Sequence, residues 1–123
     1  MKILSIIPCR QIRACEGECD VIGGWWYPSL TECSPSLVLC LVLLAELSKE
    51  DMAERLEFSI TVKGCGTEGH VQSPKFLRSM VEVTIAGFQC ELFPTSSGFL
   101  QIHASLHHSS DRAEHTFEIT IRA

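Results

Sequence analysis

The stretch Leu56-Glu57-Phe58-Ser59-Ile60-Thr61-Val62-Lys63 decides the fold class. Its apolar members occupy every second position, and the positions between them carry Glu, Ser, Thr and Lys. Side chains alternate across a strand with a period of two, whereas a helix repeats about every 3.6 residues. The stretch therefore predicts a β-strand with one face on a core and one in water.

The same period recurs on either side. Val81, Val83 and Ile85 alternate with Glu82 and Thr84, and Leu100, Ile102, Ala104 and Leu106 alternate with Gln101, His103 and Ser105. Phe117, Ile119 and Ile121 alternate with Glu118, Thr120 and Arg122. Such segments predict antiparallel sheets that each turn one face to a core. Residues 3–12 fit a further strand, in which Pro8, lacking an N–H, implies a sheet edge or a bulge. Glu16-Gly17-Glu18 reads as a three-residue hairpin loop into a strand over 19–26, where Gly23-Gly24 suggests a bulge. Phe88, Cys90 and Leu92 alternate with Gln89 and Glu91 before a turn over 94–98.

The continuous apolar run over 37–46 has no period to read. It fits a central strand buried on both faces, and equally the start of a helix reaching about residue 56. Ser48-Lys49-Glu50-Asp51, a helix N-cap followed by an acidic first turn, favours a strand followed by one helical turn. The expected architecture is all-β: an antiparallel β-sandwich of about eight strands with one short helical turn, forming one domain over residues 1–123.

Composition narrows the function classes. With 123 residues the chain can build one core and not two. Apolar residues are 46% and charged residues 20%, which is the balance of a folded domain. A net charge of -5, with the acids scattered, leaves no basic stripe for nucleic acid or an anionic membrane. The apolar run over 37–45 falls short of the roughly 20 residues that a membrane helix needs. Arg10 and Arg13 interrupt the N-terminal apolar stretch before it reaches the length of a secretory signal, so a cytoplasmic location is expected. Seven cysteines, at 9, 15, 19, 33, 40, 65 and 90, form no C-x-x-C pair. In a reducing compartment they read as small buried hydrophobes. Cys15 and Cys19 flank the expected hairpin loop and could face each other as a disulfide or a two-thiolate half-site.

Several local patterns invite chemistry. Gly64-Cys65-Gly66-Thr67-Glu68-Gly69 matches G-x-G-x-x-G, but Pro74 follows where a phosphate-binding helix would have to run, so it reads as a strand connection. Cys65 and His70 share that segment, and a thiol beside an imidazole is the minimum for nucleophilic catalysis. His103, His107, His108 and His115 cluster near the C-terminus. On a strand, however, His103 and His107 would stand about 13 Å apart and His107 and His108 would face opposite ways. They read as solvated hairpin histidines, and neither a metal nor another cofactor is expected. Trp25, Trp26 and Tyr27 form the candidate partner-binding site, because successive strand residues face opposite ways and at least one tryptophan must leave the core side. Asp20 marks the face of Ile22 and Trp26 as the wetter one.

The order of features also resembles an uncharacterised bacterial and phage family of small β-sandwich proteins, a domain of unknown function. The resemblance rests on the Val21-Ile22-Gly23-Gly24-Trp25-Trp26 segment, the proline-containing loop over 27–35, the apolar strand over 37–45, and the closing strands over 98–106 and 114–122. It implies an Ig-like or C2-like sandwich and no catalytic residues. The many cysteines and the Ser-Lys-Glu-Asp insertion depart from the pattern. The expected function is a non-enzymatic protein-interaction or assembly module whose partner is a second copy or another protein. The alternative is a small thiol-dependent enzyme or redox protein using Cys65 with His70.

Overall fold

The computed structural model describes residues 1–15, 18–24, 36–80 and 83–122. In chain order the described elements are β1 (Lys2–Cys15), β2 (Glu18–Gly24), β3 (Leu37–Glu46), α1 (Lys49–Ala53), β4 (Glu57–Gly64), β5 (Thr67–Val71), β6 (Phe76–Met80), β7 (Val83–Leu92), β8 (Gly98–His108) and β9 (Asp111–Ile121). They form two antiparallel sheets, one of order β2-β1-β3-β7-β6 and one of order β5-β4-β8-β9. The all-β sandwich expected from alternation is the fold, with nine described strands where about eight were expected. No helix among the described residues is long and apolar enough to cross a membrane.

The apolar run over 37–46 is the central strand of the larger sheet. Leu37, Leu39, Leu41 and Leu43 point into the core, while Cys40 and Val42 are buried on the opposite face. Burial on both faces is why the run shows no alternation. The chain then turns at Ser48, whose Oγ accepts from the Asp51 N–H at 3.1 Å while Asp51 accepts from the Ser48 N–H at 3.0 Å. This reciprocal cap ends the strand reading where the sequence placed it.

The sheets meet through Leu39, Leu41, Leu43, Phe88 and Leu92 on one side and Phe58, Ile60, Val62, Leu100, Ile102 and Leu106 on the other. Phe58 and Phe88 bridge the layers with ring centroids 5.7 Å apart. Each such side chain contributes about 1.5–3 kcal/mol by leaving water.

Pro8 pairs with Leu41 of β3, and among the described residues the pairing of β1 with β2 begins at Cys9. Two local expectations change. The bulge lies between Ile3 and Ser5, whereas pairing around Gly23-Gly24 keeps one register from Cys9/Gly24 to Cys15/Glu18. On β7 the core set is Thr84, Ala86, Phe88, Cys90 and Leu92, so Val83 and Ile85 face away from the core. The Leu41/Phe88 register imposes this parity, and the buried Thr84 hydroxyl is satisfied by donating to Ser79 Oγ at 3.1 Å.

Candidate interaction surface

One end of the sandwich is built from the β4–β5 turn and the β7–β8 connection. Gly64 and Gly66 have positive φ, as does Cys65 between them at 51°. A Cβ on Gly64 would collide with the carbonyl oxygen of Phe99, so the tight turn and the neighbouring strand require glycine there. Gly69 serves a different purpose: its missing side chain leaves room for Cys90 Sγ and Leu92 of the opposite sheet. The glycine pattern is thus a hairpin turn plus a close approach between sheets, and β5 follows it where a phosphate site would need a helix.

The turn and the connection are laced together. The Phe93 N–H donates to Thr67 Oγ1 at 3.0 Å, the Thr95 N–H to the Cys65 carbonyl at 2.8 Å, and the Cys65 thiol to the Phe99 carbonyl at 3.6 Å. On this braced frame Phe93 and Phe99 are 57% and 63% exposed, the most exposed large apolar side chains among the described residues. Strand parity explains both. Leu92 and Leu100 are core residues, so their neighbours Phe93 and Phe99 must leave it. Phe99 falls in the polar set of its strand, so its exposure is legible in the sequence; the other aromatic candidates are Trp25, Trp26 and Tyr27. Those three lie outside the described residues.

Cys65 and His70 are not brought together. Register puts His70 opposite Thr61, whose Oγ1 lies 3.1 Å from His70 Nδ1. Burial pushes the half-buried Cys65 thiol up, away from the thiolate that nucleophilic chemistry needs. Cys15 pairs with Glu18 and Cys19 with Ala14, so these cysteines are not cross-strand partners.

The histidines separate as strand geometry requires. His103 contacts Thr116 at 2.7 Å and His107 contacts Glu57 at 3.0 Å on the polar outer face of the smaller sheet. His115 stacks near Phe117. His108 departs from the expected solvated set: its side chain turns the other way, is only 4% exposed, and meets Asp51 of α1 at 2.7 Å. Asp51, His108 and Asp111 bring donor atoms within 4.8 Å of one another, a grouping the sequence did not suggest. Each is engaged internally: Asp51 by Ser48 and His108, His108 Nδ1 by the Ser110 N–H at 3.2 Å, and Asp111 by the Arg112 N–H at 2.8 Å and the Met1 amine at 2.9 Å. The arrangement ties α1 to the β8–β9 hairpin.

Comparison with family models, with curated proteins and with solved structures returns no match.

Proposed function

We propose that the protein is a non-enzymatic interaction or assembly module that uses the braced end of the sandwich to engage protein, a second copy being the first partner to test. The observation that carries this is the exposure of Phe93 and Phe99 on a connection held by the hydrogen bonds from Phe93 and Thr95. Aromatic residues, Phe among them, are enriched at the cores of protein contacts, where a few residues carry most of the energy, and a loop already ordered loses little entropy on binding. Trp25, Trp26 and Tyr27 remain further candidates for the same role.

Sedimentation velocity at micromolar to tens of micromolar protein tests the proposal. A concentration-dependent dimer that disappears in Phe93→Ser/Phe99→Ser, with the melting temperature kept, is the expected result. A wild-type monomer throughout that range removes self-association. A dimer unaffected by the double substitution removes this surface.

A further inference from the structure

The smaller sheet has a notch in one edge. β4 pairs with β8 along Glu57–Lys63 but with β5 only along Ile60–Gly64, so Glu57, Phe58 and Ser59 have β8 on one side and, among the described residues, no strand on the other. The chain leaves that edge because it changes sheets. Val71 ends β5, and by Lys75 the backbone N–H already donates to the Gly87 carbonyl of the larger sheet at 2.6 Å. Continued in register, β5 would set Pro74, which has no N–H, opposite Glu57. What remains is a groove of about 460 Å³ whose walls include Leu56, Glu57, Phe58, Ser59, Pro74 and Leu77.

Leu77 shows what the notch lacks. On β6 it lies opposite Ala86 of β7, so its side chain shares the face of Ala86, which is fully buried in the core. Leu77 is nevertheless 52% exposed. The larger sheet thus presents an inward leucine where the smaller sheet has no strand to cover it. On the outer face of the same notch, the Glu57 side chain is 62% exposed and meets His107 Nε2 at 3.0 Å.

We propose that this notch takes an extended peptide from a partner protein as an added strand beside β4, with an apolar residue opposite Phe58 and a lysine or arginine opposite Glu57. The unpaired N–H and C=O groups of an edge supply hydrogen bonds whatever the peptide sequence, and alternate side chains supply selectivity. The apolar residue points to the core side and covers Leu77, while its basic neighbour points outward and meets the Glu57 carboxylate. Every pair in the smaller sheet is antiparallel, so the peptide runs against β4 and its apolar residue precedes the basic one. A second copy fits poorly. The opening is only as long as Glu57–Ser59, whereas the edge strands of a folded copy arrive with their own sheet alongside. The notch flanks the start of β4, and Phe99 stands at its far end beside Gly64, so this site is separate from the braced surface.

The test titrates the folded full chain into a blocked, fluorescently labelled peptide Gly-Thr-Val-Lys-Val-Gly and follows anisotropy, with amide exchange read by NMR. Saturable binding that slows exchange within residues 57–59 and leaves Phe93 unchanged is expected. Leu77→Ser should weaken binding about fivefold. Glu57→Lys should weaken it about fivefold as well and reverse the preference toward the same peptide with glutamate in place of lysine. Phe93→Ser/Phe99→Ser should leave it unchanged, and the peptide with every backbone nitrogen methylated should not bind. No binding at about 1 mM peptide, binding that survives methylation, or a Glu57→Lys chain that still prefers lysine overturns the proposal. So does a peptide-free dimer that Leu77→Ser dissolves, which would put a second copy in the notch. The methylated peptide decides the matter on the wild-type chain even if a variant folds poorly.

Discussion

His108 and Asp51 stand 57 positions apart in sequence and 2.7 Å apart in space. The Ser110 N–H donates to His108 Nδ1, so the neutral ring carries its proton on Nε2 and donates it to Asp51 Oδ1. Asp51 also accepts from the Ser48 N–H. One carboxylate therefore caps α1 and holds it against the end of β8.

That dual role gives a pH signature. The His108 hydrogen bond, followed by the one from Ser48, holds the Asp51 carboxyl well below its ordinary 3.8. A group with a depressed folded value contributes its full stability above the unfolded value and loses it as pH falls through the folded one. The melting-temperature gap between wild type and Asp51→Asn should be widest near neutrality and should close as pH falls below about 3.8. A gap that stays constant down to pH 2 would mean that the carboxylate charge contributes nothing.

Gly69 should resist substitution more than its exposed neighbour. A Cβ there would run into Cys90 Sγ and approach Leu92 Cδ2 to 2.8 Å. Gly69→Ala should cost about 1–3 kcal/mol by overpacking, while Glu68→Ala should stay within about 0.5 kcal/mol. Urea unfolding with an unchanged slope is the measurement, and equal midpoints for the two variants would refute the close approach.

Three phenylalanines should divide by depth. Phe88→Ala removes a ring 1% exposed at the junction of the sheets and should cost about 3–5 kcal/mol. Phe93→Ala and Phe99→Ala should each cost less than about 1 kcal/mol in the monomer. Thermal melting at a concentration too low for association separates these. A large loss at Phe99 would place it in the fold and remove it from the interaction surface.

Cys65 should behave as a quiet thiol. Burial raises it, and the donor to its backbone carbonyl, the Thr95 N–H, does nothing to ionise the sulfur. Iodoacetamide at neutral pH should label it more slowly in the folded chain than in guanidinium. Rapid, selective labelling of Cys65 in the native state would instead revive the thiol-enzyme reading.

Much of the architecture was legible because it is written in short-range pattern. Alternation over 56–63 and 100–106 appears as β4 and β8, and the Ser48 cap appears with its reciprocal hydrogen bonds. On β7 the pattern misled: Val83 and Ile85 look like a core face, yet the longer Phe88-x-Cys90-x-Leu92 set controls the parity and buries Thr84. The exposure of Phe99 is readable from its place in the polar set of β8. The notch beside Glu57–Ser59 was not readable, because it depends on where β5 leaves β4.

The sequence by itself determined most of where the chain extends and which side chains share a strand face, though β5 and β6 were not legible in it and β7 joins two stretches that read as separate strands. What was legible follows from a two-residue period, glycine turns and a four-residue cap, all local matters. Only the tertiary structure decided the strand order β2-β1-β3-β7-β6 and the pairing of β4 with β8, and with them every contact that bears on function. A strand's hydrogen-bonding edges are nearly alike whatever its side chains, so partner and register come from fitting two apolar faces together across long stretches of chain. That fit leaves Leu77 exposed beside the notch in β4, carries His108 to Asp51, and turns Phe93 and Phe99 outward on a braced loop.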